Sequence, residues 1–299
     1  MEMWETVRVP ASSANLGPGF DALALALSIY LHCRFRRSDR LSIEVEGRDA
    51  VSIPSDQTNL IWRTAADTAR ASGVELPPLA LQITNEIPVG KGLGSSAAAL
   101  VAALAIADRV ARLGWTRERI LDEAARREGH PDNVAACVMG SVVVSAIAAD
   151  GSTRAIRLDM PNGFQVAAVV PNYQLPTAQM RAVLPDCYSS SDTIFNVQRA
   201  SLLVAALSTG DRRAFPTALE DRIHQPYRSG VVPGLEEILA LREPGLLGCA
   251  LSGAGPAVLV FFEKDAGHCA ERVRQIFTRE GLRAEILPAQ VDTDGYYLS

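Results

Sequence analysis

The segment Pro88-Val89-Gly90-Lys91-Gly92-Leu93-Gly94-Ser95-Ser96-Ala97-Ala98-Ala99 carries the clearest chemistry in the chain. Glycines at alternate positions let a backbone curl tightly and turn its N–H groups inward. The apolar helix pattern over 100–113 then aims a positive dipole end at whatever the loop encloses. Ser95 and Ser96 add two hydroxyl donors at the same mouth. Such a loop is an anion cradle, and the natural anion is the phosphate chain of a nucleotide. The plain alternative is a tight strand–helix connection without a ligand.

Two common phosphate loops fit these letters poorly. A Walker A loop needs Gly-x-x-x-x-Gly-Lys-Ser/Thr, and Lys91 stands too early, beside the wrong glycine. Gly92-x-Gly94-x-x-Ala97 matches a dinucleotide fingerprint only nominally. The preceding segment, 79–87, alternates where a buried parallel strand is uniformly apolar, and no second strand ends in an acidic residue for a ribose. No Gly-x-Ser-x-Gly elbow points to a hydrolase.

The elements that must position the loop are legible. Alternation over 5–10, 22–35, 41–46 and 79–87 predicts strands, and apolar residues at helical spacing over 59–72 predict a helix ending at Gly73. The glycine loop opens a helix over 95–113, closed by Gly114. Thr116 caps a further helix to about 128, and 141–148 is a strand. Beyond a strand at 164–170, a loop rich in Pro, Ser and Asp runs through Ser191. Helical patterns follow over 193–207, 212–221 and 234–241. The tail reads strand, turn, strand, helix, strand: 248–251, 252–256, 257–262, 266–280 and 284–287. Mixed blocks without a regular βαβ beat favour α+β. A boundary falls near 155–160, giving units 1–157 and 158–299.

At 299 residues the chain can hold two full cores, and 48% hydrophobic with 21% charged residues describes a globular protein. A formal charge of −5 argues against nucleic acid or an anionic membrane as partner. The basic tract Arg34-Phe35-Arg36-Arg37 reads as a solvated strand face. Five scattered cysteines without a Cys-x-x-Cys pair point to a reducing cytoplasm and no structural zinc. The first residues lack the pattern of a signal peptide, and the run 97–107 is too short to span a bilayer.

The loop over 88–99 resembles the phosphate loop of the GHMP small-molecule kinases. Pro10-Ala11-Ser12-Ser13-Ala14-Asn15-Leu16-Gly17-Pro18-Gly19-Phe20-Asp21 resembles the first motif of that superfamily in its homoserine kinase form. Ser252-Gly253-Ala254-Gly255-Pro256 resembles the third, a glycine turn packed behind the phosphate loop. The three stand in order over nearly the whole chain. Glu128-Gly129-His130-Pro131-Asp132-Asn133-Val134-Ala135-Ala136 resembles the homoserine kinase segment around His-x-Asp-Asn. Thr177-Ala178-Gln179-Met180-Arg181 and Gln225-Pro226-Tyr227-Arg228 resemble the segments that send arginines to a substrate carboxylate.

The resemblance implies an N-terminal domain like ribosomal protein S5, a ferredoxin-like C-terminal domain, and an active site in the cleft between them. It implies transfer of the ATP γ-phosphoryl to the side-chain hydroxyl of L-homoserine, a step of threonine biosynthesis, with Mg2+ and in the cytoplasm. Many relatives are dimers, so a homodimer is an open assembly. Pro88, Val89, Gly90, Lys91, Gly92, Leu93, Gly94, Ser95, Ser96, Ala97 and Ala98 would hold ATP, with Asn59 at the nucleotide. Lys91 either adds a cation near the phosphates or is solvated.

Glu128, with Glu123 as the alternative, and Ser96 would hold the metal. Asn133 would orient the acceptor hydroxyl. Asn15, Asp21 and His130 would face the ammonium and hydroxyl end, Asp21 as counter-ion, while Arg181 and Arg228 grip the carboxylate beside Thr177. Two guanidiniums suit a carboxylate because each can bind it bidentately. The rivals are another GHMP kinase with a small polar acceptor, and a non-catalytic sensor of ATP and an amino acid.

Overall fold

The computed structural model describes residues 3–160 and 163–299. The first half begins with strands β1 (Glu5–Ala14), β2 (Leu23–Arg37) and β3 (Ser42–Gly47). Helix α1 (Leu60–Ala71) and β4 (Leu79–Asn85) lead into the glycine loop, and α2 (Ser95–Ala111) leaves it. Helices α3 (Arg117–Glu128) and α4 (Asp132–Met139) precede the antiparallel pair β5 (Val142–Ile147) and β6 (Thr153–Leu158). The second half opens with β7 (Phe164–Pro171), α5 (Thr177–Ala182) and α6 (Ser190–Thr209). Three short helices follow, α7 (Phe215–Ala218), α8 (Gln225–Arg228) and α9 (Leu235–Ala240). The chain ends with β8 (Leu246–Leu251), β9 (Val258–Glu263), α10 (His268–Arg279), β10 (Ala284–Ala289) and β11 (Tyr297–Leu298).

The first sheet runs β11-β1-β2-β4-β3, with β5 joined to β2 and β6 to β5. Only β3 and β4 are parallel, which forces a crossover that α1 supplies. The alternation of β2 splits its faces: Cys33 and Phe35 are buried, while Arg34 and Arg36 lie outside, each over the Trp4 ring. Helix α2 packs against α1, α3, α4 and β1, so it is buried on every side from Leu100 to Ala107. All-round burial is why its letters are uniformly apolar, and its many alanines let the neighbours approach closely. Among the described residues no helix is long and apolar enough to cross a membrane.

The second sheet has the order β10-β7-β9-β8, with every pair antiparallel. With helices between β7 and β8 and between β9 and β10, this is the split βαβ arrangement of a ferredoxin-like domain. Its core gathers Val169, Leu251, Val258, Val260, Val273 and Phe277.

Several elements differ from the sequence expectation. The Asp132-Asn133 pair opens α4 rather than trailing α3, because Gly129 ends α3 in a left-handed conformation and Pro131 starts a new turn. Strand β6 is an outer edge with a largely exposed face, so it lacks the apolar alternation that marks the others. The segment 212–221 is a single 3-10 turn and one turn of α-helix, since Asp211 and Pro216 each restart the chain. Within the polar loop, α5 forms around one buried residue, Met180. The last residues, assigned with the second unit by sequence, return to pair with β1 through β11.

The two halves join behind the glycine loop. Ser252 Oγ lies 2.6 Å from the Gly92 carbonyl and 2.8 Å from Ser13 Oγ, and the Ala257 N–H donates to the Lys91 carbonyl. Gly92 has φ +81°, and a Cβ there would stand 2.2 Å from the Ser252 carbonyl oxygen. Gly92→Ala must therefore pry the third motif off the loop. We expect it to lower stability by about 2–4 kcal/mol, read as a lower urea midpoint with an unchanged slope.

Candidate active site

The glycine loop spans β4 to α2 with Gly90, Gly92 and Gly94 all at positive φ. Gly94 stands at the N-cap of α2 and no side chain caps the helix, so first-turn N–H groups stay open to a ligand. Val89, Gly90, Gly92, Gly94, Ser95 and Ser96 line a cleft of about 280 Å³. The other predicted loop residues support it from behind. Pro88, Leu93, Ala97 and Ala98 are buried away from the cleft, and the Ala98 N–H is already given to the Gly94 carbonyl.

Two sequence assignments are corrected. Lys91 is neither solvated nor aimed into the cleft, since its Nζ donates to the Pro171 and Tyr173 carbonyls at 3.1 and 2.5 Å. Burial pulls its ammonium below the ordinary lysine range. Asn59 is the N-cap of α1: its Oδ1 accepts from the Ile61 N–H, and its Nδ2 donates to the Pro54 carbonyl. One end of that amide caps the helix and the other ties it to the preceding loop.

The first motif enters the cleft under strain. Asn15, Leu16 and Asp21 all occupy the left-handed region, with φ of 71°, 46° and 54°. Asn15 holds this turn, accepting from the Asp21 N–H at 3.0 Å and donating to the Gly253 carbonyl at 3.0 Å. Its amide therefore acts on Asp21 and the third motif. Asp21 in turn receives two hydrogen bonds from Arg181, at 2.8 and 3.1 Å.

Arg228 is the unusual charge. It is 2% exposed and donates to the Gly253 carbonyl, the Met180 carbonyl and His224 Nδ1, all neutral groups. Among the described residues no carboxylate pairs with it. Burial, with the nearby Arg181 charge, lowers its guanidinium to about 10. Because arginine only donates, His224 Nδ1 must accept, which puts the imidazole proton on Nε2, 2.7 Å from the Gly17 carbonyl. Burial favours that neutral form of His224. The α8 turn that carries Arg228 is fastened by Asp221, which accepts from the N–H groups of Ile223, His224 and Gln225. The guanidinium carbons of Arg228 and Arg181 lie 5.4 and 5.5 Å from the Phe20 ring centre.

In the same cleft, Asp21, His130 and Asp132 bring side-chain polar atoms within 4.8 Å of one another. Burial opposes charge on His130, but the 2.8 Å hydrogen bond to Asp132 and the charges of Asp132, Glu128 and Asp21 raise its pKa above the ordinary value. Asn133 and Thr177 complete this part of the lining.

The two metal candidates separate clearly. Although burial works against its charge, Glu123 receives hydrogen bonds from Arg126 and Arg127, which hold its carboxyl below the usual range. Glu128 sits in the cleft, its carboxyl pushed up mainly by burial, and accepts from Ser96 Oγ at 3.2 Å. A desolvated carboxylate beside a hydroxyl is an oxygen donor set that fits a hard cation such as Mg2+.

Sequence reasoning passed over Ser12, Phe20, His224 and Asp221 as site residues. His224 stands four residues before Arg228, one helical turn away, and Asp221 is a cap residue by type; those were the available signals. A roomier groove of about 930 Å³ between β7, β10 and the tail contains none of the predicted site residues.

The family profile described as the GHMP kinases N terminal domain matches residues 59–141, and that described as GHMP kinases C terminal matches 203–279. A homoserine kinase of Solibacter usitatus is 60% identical over 296 residues, covering 99% of this chain and 97% of its own. One of Deinococcus radiodurans is 40% identical, covering 97% and 95%. Among solved structures, homoserine kinase from Cytophaga hutchinsonii superposes with a TM-score of 0.85 at 24% identity, over 100% of this chain and 98% of that one. Phosphomevalonate kinase of Streptococcus pneumoniae reaches 0.68 at 15% identity, over 97% and 100%. These two likenesses are of fold, whereas the sequence identities reach the finer level. The chain belongs to the homoserine kinases of the GHMP kinase superfamily.

Proposed function

We propose that this kinase transfers the γ-phosphoryl group of ATP to the side-chain hydroxyl of L-homoserine, giving O-phospho-L-homoserine. The observation that carries this reading is Arg228, a buried guanidinium that no carboxylate hydrogen-bonds among the described residues, in one cleft with the carboxylates of Asp21 and Asp132. A zwitterionic amino acid neutralises both ends at once: its carboxylate meets Arg228 and Arg181, and its ammonium meets Asp21. A sugar or mevalonate leaves at least one desolvated charge unanswered.

The side-chain hydroxyl then lies toward Asn133 and the mouth of the glycine loop. Residues 1–157 supply the phosphate loop and the metal ligands, and 158–299 bring both arginines. The loop N–H groups and the α2 dipole take up charge on the transferring phosphoryl, which needs alignment and neutralisation more than covalent help. Glu128 and Ser96 are the residues to hold Mg2+, which when bound neutralises the β- and γ-phosphates. Asn133 orients the acceptor oxygen. No carboxylate is assigned as base, and the hydroxyl proton leaves late, to a phosphate oxygen or solvent.

The test is ADP release with ATP and Mg2+ against L-homoserine, L-serine, L-threonine, mevalonate and galactose. Turnover confined largely to homoserine is expected; turnover with another acceptor would leave the phosphate cradle standing and overturn the pocket. Arg228→Ala should raise the KM for homoserine by the equivalent of about 2–5 kcal/mol with ATP binding nearly intact. Arg181 is half exposed and already paired with Asp21, so Arg181→Ala should cost less. An unchanged KM in both variants sinks the carboxylate site. Glu128→Gln should raise the Mg2+ concentration needed for half-maximal activity well above that of Glu123→Gln, and the reverse order would reassign the ligand.

A further inference from the structure

Ser12, in the first motif, touches both the glycine loop and Asn133. It is fully buried on β1, and its N–H donates to the Leu93 carbonyl at 3.1 Å. A Cβ on Gly94 would stand 2.0 Å from Ser12 Oγ, so the glycine is what lets the loop settle on this hydroxyl. Ser12 Oγ donates to Asn133 Oδ1 at 2.9 Å. On its other side the Cys137 thiol lies 3.6 Å away, also 3.3 Å from the Pro10 carbonyl. Burial raises the Cys137 pKa to about 12, so the sulfur keeps its single proton, for which the Pro10 carbonyl is the nearer acceptor.

We propose that Ser12 is a positioning residue that fixes the side-chain amide of Asn133 so that Nδ2, and not Oδ1, faces the cleft. The proposal rests on the reading that Asn133 orients the acceptor hydroxyl. A serine hydroxyl has one proton, and here it is given to Asn133 Oδ1. Reversing the amide would turn Nδ2 onto Ser12 Oγ and leave the serine proton only the Cys137 sulfur at 3.6 Å, a weak acceptor, in place of an amide oxygen. None of the described residues accepts from Asn133 Nδ2, which leaves that N–H for the ligand. Asn133 therefore meets the acceptor oxygen as a donor. It binds a lone pair, cannot receive the hydroxyl proton, and leaves that proton free to pass to the phosphoryl oxygens. Between the alternating glycines and the catalytic amide, Ser12 also couples the two: a shift of the loop at Gly94 reaches Asn133 through a single hydroxyl.

The test is steady-state kinetics with homoserine and ATP on Ser12→Ala, Asn133→Ala, the double variant and Asn133→Asp, with thermal midpoints for each. Ser12→Ala is expected to lower kcat by roughly ten- to a hundredfold, the scale of a misplaced catalytic group, with both KM values within about twofold. In the Asn133→Ala background the same change should cost nothing further. Asn133→Asp still accepts from Ser12 but has no N–H to offer, so it should be as slow as Asn133→Ala.

Three results overturn the proposal. Losses at Ser12 and Asn133 that multiply in the double variant, together with a lowered thermal midpoint, make Ser12 a packing residue. A fully active Ser12→Ala, with Asn133→Ala impaired, removes the positioning role alone. An active Asn133→Asp makes the group an acceptor. Full activity of Asn133→Ala would instead remove the underlying reading of that residue.

Discussion

An uncapped helix N-terminus opening into a cleft is the constraint around which this molecule is arranged. Open N–H groups at the start of α2 are costly to leave in a partly buried place unless an anion answers them. Holding them there takes contacts from two distant parts of the chain. Ser12 supports Gly94, Ser13 and Ser252 meet behind the loop, and the Ser252 hydroxyl closes on the Gly92 carbonyl. Side chains larger than hydrogen at these glycines would occupy the space the supporting groups use. The glycines are thus chosen both for the conformation of the loop and for the closeness of what lies behind it.

A second unbalanced group sets the other end of the cleft. Arg228 is fixed by neutral acceptors and by a histidine whose tautomer is dictated by the arginine itself. The protein holds a positive charge out of water with no carboxylate hydrogen-bonded to it among the described residues, only the charges of Asp21 and Asp221 nearby, and both it and Arg181 lie over the Phe20 ring. The same cleft is lined by Asp21, His130, Asp132 and Asn133. Such an arrangement is unfavourable for the empty protein and favourable only for a ligand that carries the missing charge.

Much of this was legible in the letters, and the failures have physical causes. Strands β1 to β5 and helices α1 to α3 could be placed because one buried face imprints its period on the sequence. Motif residues Asp21, Glu128, His130, Asn133, Thr177, Arg181 and Arg228 converge on one cleft. The family resemblance puts Asn59 at the nucleotide and Lys91 in the phosphate loop. Yet an asparagine before a helix caps it, and a lysine within reach of two carbonyls is drawn to them. Strand β6 and the turns between α6 and α9 left no period to read, because an exposed edge and single helical turns bury too little. Ser12, His224 and Asp221 act through contacts with residues brought near by the fold, and spacing along the chain does not record those.

The return of the last ten residues alters what kind of joint the cleft can have. After β10, the Asp292 N–H donates to the Ala26 carbonyl, Tyr297 and Leu298 pair with β1, and the Arg117 guanidinium donates to the Asp294 and Tyr296 carbonyls. The ferredoxin-like unit is therefore spliced into the first sheet, leaving after β6 and coming back before β11. Two chain crossings, where a single linker would give one, thus join the unit that carries Arg181 and Arg228 to the sheet that carries the phosphate loop.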